Sequence, residues 1–163
     1  MSAISQELGG GRAEQFVLSL AGILPYVYEQ AWQSVLEGSP VLREALPESR
    51  FPLQVVDWRA THTAVQDVRL AERLAREDAT GLACDGGPSM RATLIRRTDR
   101  TWTFAWRYAR GLLDRGTGLR LLEEAADAYG VLLRGGTPRR AQTWLAAGAP
   151  QRPGARLAGP VSG

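Results

Sequence analysis

The sequence has no lysine. All 20 basic residues are arginine, in a chain that also carries 18 glycines and abundant alanine. That pattern reflects GC-rich coding rather than selection for a basic surface. There is a single cysteine, Cys84, so an internal disulfide framework and a multi-cysteine zinc site are both excluded. There is a single histidine, His62, so the usual two-histidine metal sites within one chain are excluded as well. No run of about 18 apolar residues occurs, and no membrane-spanning helix is expected. The opening stretch MSAISQELGGGR has neither the basic n-region nor the apolar h-region of a secretory signal. A cytoplasmic, reducing location is the expectation.

What is present is the composition of one folded domain. The 163 residues are 44% hydrophobic and 23% charged, enough apolar surface to build a core. The formal net charge is only +3. Arginines alternate with acids, as in Arg69, Glu72, Arg73, Arg76 and Glu77, a spacing that makes a solvated helix face. A nucleic-acid binder would show a stripe of one sign, so nucleic acid is not an expected partner.

Residues 1–13 read as a flexible N-terminus. Phe16 to Ala21 alternates as a strand and Gly22 closes it. Pro25 suits the first turn of a helix carrying Tyr28, Ala31, Trp32, Val35 and Leu36, with Gly38 as its stop. Pro40 and Pro47 mark a loop, and Leu53 to Val56 a short strand. Thr63 and Gln66 fit a capping box. The helix they open has a stripe of Val65, Val68, Ala71 and Ala75, widened by Leu70 and Leu74. A turn at Asp85–Pro88 precedes a hairpin, Met90–Arg97 and Thr101–Ala109, whose second strand aligns Trp102, Phe104, Trp106 and Tyr108 on one face. These aromatics are expected to be core. After a loop at 110–116, Thr117 is the expected cap of a helix to about Leu133. The segment 137–163 is rich in Arg, Pro, Gly and Ala, with a short helix near 141–147. It is otherwise expected to be a flexible tail. The order β-α-β-α-β-β-α predicts an α/β fold: a two-layer sandwich in which helices pack on a mixed sheet.

No local motif carries chemistry alone, but an ordered series of segments does. AWQSVL at 31–36, PVLR at 40–43, PLQVV at 52–56 and DWR at 57–59 follow one another. GLAC at 81–84, PSMR at 88–91, the paired strands around 93–96 and 102–104, and EE at 123–124 with YGVLLRG at 129–135 continue the series. Together they resemble condensation domains of nonribosomal peptide synthetases, whose corresponding stretches read AWQxVxxRHPxLR, PLQVV, DWR and LLxEExxxxYxALLRG. The resemblance spans residues 14–147. It implies that 14–136 form one lobe, the N-terminal one, of a two-lobed chloramphenicol-acetyltransferase-like fold. On that reading the second lobe is not supplied by this sequence.

The resemblance also locates a degenerate active-site loop. The family's HHxxxDG falls on Ala109–Arg115, so its two histidines become Ala109 and Arg110, its glycine becomes Arg115, and its aspartate is kept as Asp114. In the family that aspartate pairs with an arginine of the segment matching 40–43, which implies a structural ion pair of Arg43 with Asp114. Arg110 cannot exchange a proton near neutrality as an imidazole can. His62, at an expected helix start, reads as a capping or surface residue, and Cys84 as a small buried hydrophobe. The implied function is an accessory lobe of nonribosomal peptide biosynthesis, inactive alone. It would bind a carrier protein, with no cofactor of its own beyond the carrier's phosphopantetheine. The alternative is an acyltransferase completed by a second lobe in trans or by homodimerisation.

Overall fold

The computed structural model describes residues 2–4, 13–46, 48–80 and 89–138. The expected turn at 85–88, Cys84, and the short helix near 141–147 lie outside the described residues.

A mixed five-stranded sheet organises the chain, in the order β1-β2-β5-β4-β3. Its strands are β1 (Ser2–Ile4), β2 (Ala13–Ala21), β3 (Leu53–Asp57), β4 (Met90–Arg96) and β5 (Thr101–Ala109). The pairs β1/β2, β2/β5 and β4/β5 are antiparallel, whereas β3/β4 is parallel. The helices are α1 (Pro25–Gly38), α2 (Pro40–Ala45), α3 (Thr63–Thr80) and α4 (Arg115–Leu133). A parallel pair needs a crossover, and α3 is the crossover from β3 to β4.

The α/β class and the mixed sheet with helices packed on it agree with the sequence reading, and so does the aromatic face. Trp102, Phe104, Trp106 and Tyr108 are all buried. Trp32 of α1 stacks on Phe104 at 5.5 Å and packs against Trp106 at 4.9 Å between ring centroids. Gly118 of α4 lies against the Tyr108 hydroxyl and the Phe16 ring, an approach that leaves no room for a Cβ. So α1 and α4 cover one face. Helix α3 lies on the other, where the Arg107 guanidinium of β5 donates to the Leu74 carbonyl of α3 at 3.0 Å. The reason for cover on both faces lies in β5 itself. From residue 102 to residue 108 no side chain is exposed. Thr103, Ala105 and Arg107 are buried on the face opposite the aromatics, so each side of the pleat needs a helix.

Four local expectations change. Ser2–Ile4, expected to be flexible, pair with β2 and cover its outer edge. Pro40–Ala45 form α2 rather than a loop: Pro40 sits in its first turn and the Ser39 side chain accepts from the Leu42 N–H at 3.3 Å. Helix α3 is rotated from its expected stripe. Val65 and Val68 are 50% and 58% exposed, while Gln66 is fully buried and Leu74 nearly so. Gln66 does not close a capping box either. Its Nε2 donates to the carbonyls of Trp58, Thr61 and Arg97, and its Oε1 accepts from Arg97 Nε at 2.6 Å. The amide binds the loop before α3 to the β4–β5 turn, and that demand sets the rotation of the helix. Finally, α4 starts at Arg115, and its cap is Asp114 rather than Thr117.

Candidate functional site

The loop after β5 meets the first turn of α4 beside the start of β2. Tyr108 closes the core below it and donates from its hydroxyl to the Asp114 carbonyl at 3.3 Å. Burial pushes the Tyr108 phenol well above its ordinary value, with the Glu14 charge adding to the shift. The Ala109 N–H donates to the Ser89 carbonyl and the Leu112 N–H to the Ala109 carbonyl, both at 2.9 Å, so the loop leaves the sheet through a hydrogen-bonded turn.

Arg110 and Arg115 converge on one carboxylate. Arg110 Nε lies 3.3 Å from Glu14 Oε1, and Arg115 Nη1 lies 2.9 Å from Glu14 Oε2. The Arg115 guanidinium also sits over the Phe16 ring, 4.7 Å from its centroid. Glu14 is the least exposed member, at 17% against 48% for Arg110 and 31% for Arg115. Asp114 points elsewhere: its Oδ1 accepts the Thr117 N–H at 2.7 Å. That hydrogen bond holds its carboxyl below the usual carboxylate range.

The structure does not bring Arg43 to Asp114; among the described residues they form no ion pair. Arg43 lies exposed on α2, and the Asp114 carboxylate caps α4. Two local demands explain the difference: α2 turns residue 43 toward solvent, and the free N–H groups of α4 need an acceptor. His62 is remote from the loop in sequence and stands before α3, where its Nδ1 accepts from the Ala64 N–H at 3.2 Å. It is exposed and acts as a cap. Among the described residues no three His, Cys, Asp or Glu side chains gather as a metal-ligating group.

No family model matches the chain. Two subunits of the linear gramicidin synthase of Brevibacillus parabrevis are similar to it. One is 30% identical over 125 residues, 69% of this chain, and the other is 28% identical over 146 residues, 82% of it. The chain spans only 2% of the length of either relative. Among solved structures, the starter condensation domain of rhizomide synthetase RzmA matches with a TM-score of 0.64 at 18% identity, over 78% of this chain and 34% of that one. The cyclization-docking bidomain of EpoB from Sorangium cellulosum matches with a TM-score of 0.63 at 11% identity, over 81% of this chain and 28% of that one.

The chain has the fold of part of a condensation domain and is similar in sequence to nonribosomal peptide synthetases.

It matches only part of such a domain. At the loop after β5, position 110 carries a guanidinium that stays protonated at neutral pH. It can hold an anion or stabilise negative charge, but it has no lone pair with which to take a proton. Sequence reasoning finds Arg110 and Asp114 and misses Glu14, because Glu14 stands outside the expected strand. The available signal is the strand pairing: β2 begins at Ala13, which places Glu14 opposite Tyr108, at the exit of β5. Arg115 is legible only as a departure from the glycine that the resemblance implies there, and its contact with Glu14 depends on α4 beginning there.

Proposed function

We propose that this lobe serves nonribosomal peptide synthesis as a non-catalytic condensation-type accessory. It binds a carrier protein or another synthetase domain, with the loop at 109–115 turned toward what is bound. One observation carries the reading: Arg110, which the sequence resemblance sets at the family's second histidine, has its Nε engaged by Glu14 at 3.3 Å. A positioned proton-transfer group contributes about 10²–10⁴-fold to a rate, and neither Ala109 nor Arg110 offers one. The similarity to gramicidin synthase supports the association with peptide synthesis.

The test is a transfer assay with the purified chain, an aminoacyl-carrier donor and an amine acceptor, read by mass spectrometry. The expected result is no product beyond uncatalysed aminolysis, for the native chain and for Arg110→His alike. Turnover abolished by Arg110→Ala overturns the proposal and makes Arg110 the active group. Carrier binding is read separately, by titrating the chain with the loaded carrier. Saturable binding is expected, and its absence removes the carrier as the partner.

A further inference from the structure

The Glu14 carboxylate occupies a fork whose two prongs come from different elements. Arg110 leaves the end of β5, Arg115 opens α4, and each takes one oxygen of the same carboxylate. The fork carries two positive charges against one negative charge. It is therefore cationic with Glu14 in place. Arg110 meets Glu14 through its Nε at 3.3 Å, and its terminal Nη groups have no hydrogen-bond partner among the described residues. Phe16 supports the Arg115 guanidinium from below, which restricts the directions in which it can turn. Asp114, the nearest other acid in sequence, accepts from the Thr117 N–H and makes no ion pair with either arginine among the described residues. A guanidinium matches a planar carboxylate through parallel N–H donors.

We infer that Arg110 and Arg115 form a receptor for a carboxylate borne by an acyl or peptidyl group, and that Glu14 is its resident stand-in, displaced when the ligand binds. The inference rests on the proposed function, in which this loop is where substrates or partners approach. It does not require that the loop catalyse anything. Selection follows from charge: a neutral acyl chain cannot compete with Glu14, whereas an anionic one exchanges one carboxylate for another. Removing the Glu14 charge removes the competitor, so the receptor should strengthen when its internal acid is neutralised.

The experiment uses the full chain, with acetate as the probe and inorganic phosphate as the comparison, at constant ionic strength. The arginine Nε–H resonances are followed by NMR. Saturable shifts at Arg110 and Arg115 are expected with acetate, while exposed Arg59 stays still. Glu14→Gln should tighten acetate binding about tenfold, the scale of one charge-assisted contact no longer competing. Arg110→Gln or Arg115→Gln should abolish it. Preserved resonances elsewhere in each variant show that it remains folded. No saturable shift, equal shifts at Arg59, or no tightening in Glu14→Gln overturns the receptor. Tighter binding of phosphate than of acetate overturns the carboxylate class. Because binding is read without turnover or carrier, these results are independent of the transfer assay and the carrier titration.

Discussion

The two faces of the sheet are built from alternate residues of the same strands, yet they are held together differently. On one face Phe16, Trp102, Phe104, Trp106 and Tyr108 meet α1 and α4, and Trp32 lies stacked on Phe51 at 4.6 Å between centroids. On the other, α3 is fastened by amide and guanidinium groups. Arg73 reaches Gln54 at 2.8 Å, Arg97 reaches Thr103 at 3.1 Å and pairs with Asp67, and Gln66 makes four hydrogen bonds. The aromatic face gains mainly from burying large apolar areas, a contribution that does not depend on direction. The polar face gains little per bond but loses heavily when one partner is removed, because the other is left buried and unpaired. One face therefore supplies stability, and the other fixes the register of α3 on the sheet.

The largest test of this contrast is Trp106→Ala. Trp106 is fully buried and touches Phe16, Trp32 and Tyr108. Its truncation should cost about 3–5 kcal/mol, close to the whole stability of a small domain. Urea denaturation measures it, and a loss below about 1 kcal/mol would remove the aromatic face from its dominant place.

On the opposite face, Gln66→Leu conserves bulk and deletes the amide. It removes the acceptor of Arg97 Nε and a donor shared by three carbonyls, and should cost about 1–3 kcal/mol despite adding an apolar side chain to a buried site. A neutral or stabilising result, by the same urea measurement, would mean that α3 is held by its leucines rather than by its polar bonds.

These two residues also show how far the sequence can be read. The alternation of β5 exposes the aromatic face directly, since period two and large side chains leave no other core. The α3 face misleads for a physical reason: hydrophobic periodicity counts Val65 and Val68 as inward, but a buried glutamine with four bonds outweighs two valines. Nothing local to residues 63–80 reveals that the carbonyls of Trp58, Thr61 and Arg97 need a donor. The site shows the same division. The loop 109–115 is legible as a stretch of chain, whereas the partner of Arg110 comes from the start of β2, far away in sequence and adjacent only through the sheet. The expected Arg43–Asp114 pair fails because a free helix end competes for the same carboxylate.

That competition sets the next, smaller effect. Asp114→Ala should cost about 1 kcal/mol, the usual value of a lost N-cap. A double-mutant cycle with Arg43→Ala should show no coupling, since Arg43 is exposed on another helix. Coupling above about 0.5 kcal/mol would restore the ion pair and move α2 against the loop.

The smallest effect is a slope against pH rather than a fixed loss. Glu124 of α4 lines a groove with Ser34, Val35, Asp127, Ala128, Val131 and Pro138. Burial, with repulsion from Asp127 second, raises its carboxyl from 4.5 to about 7. The folded chain thus holds this proton more tightly than the unfolded chain does. The native state binds more protons between the two values, so this group's contribution is fully present below about pH 4.5 and is lost as pH rises through about 7. Partial exposure lets solvent screen the charge, which keeps the decline shallow. Glu124→Gln removes the titrating proton while keeping the shape. Its urea midpoint should therefore exceed that of the native chain at about pH 8 and match it near pH 4.5. An equal difference at both values would mean that packing, and not the charge of Glu124, distinguishes the aromatic side of this fold at its solvent margin.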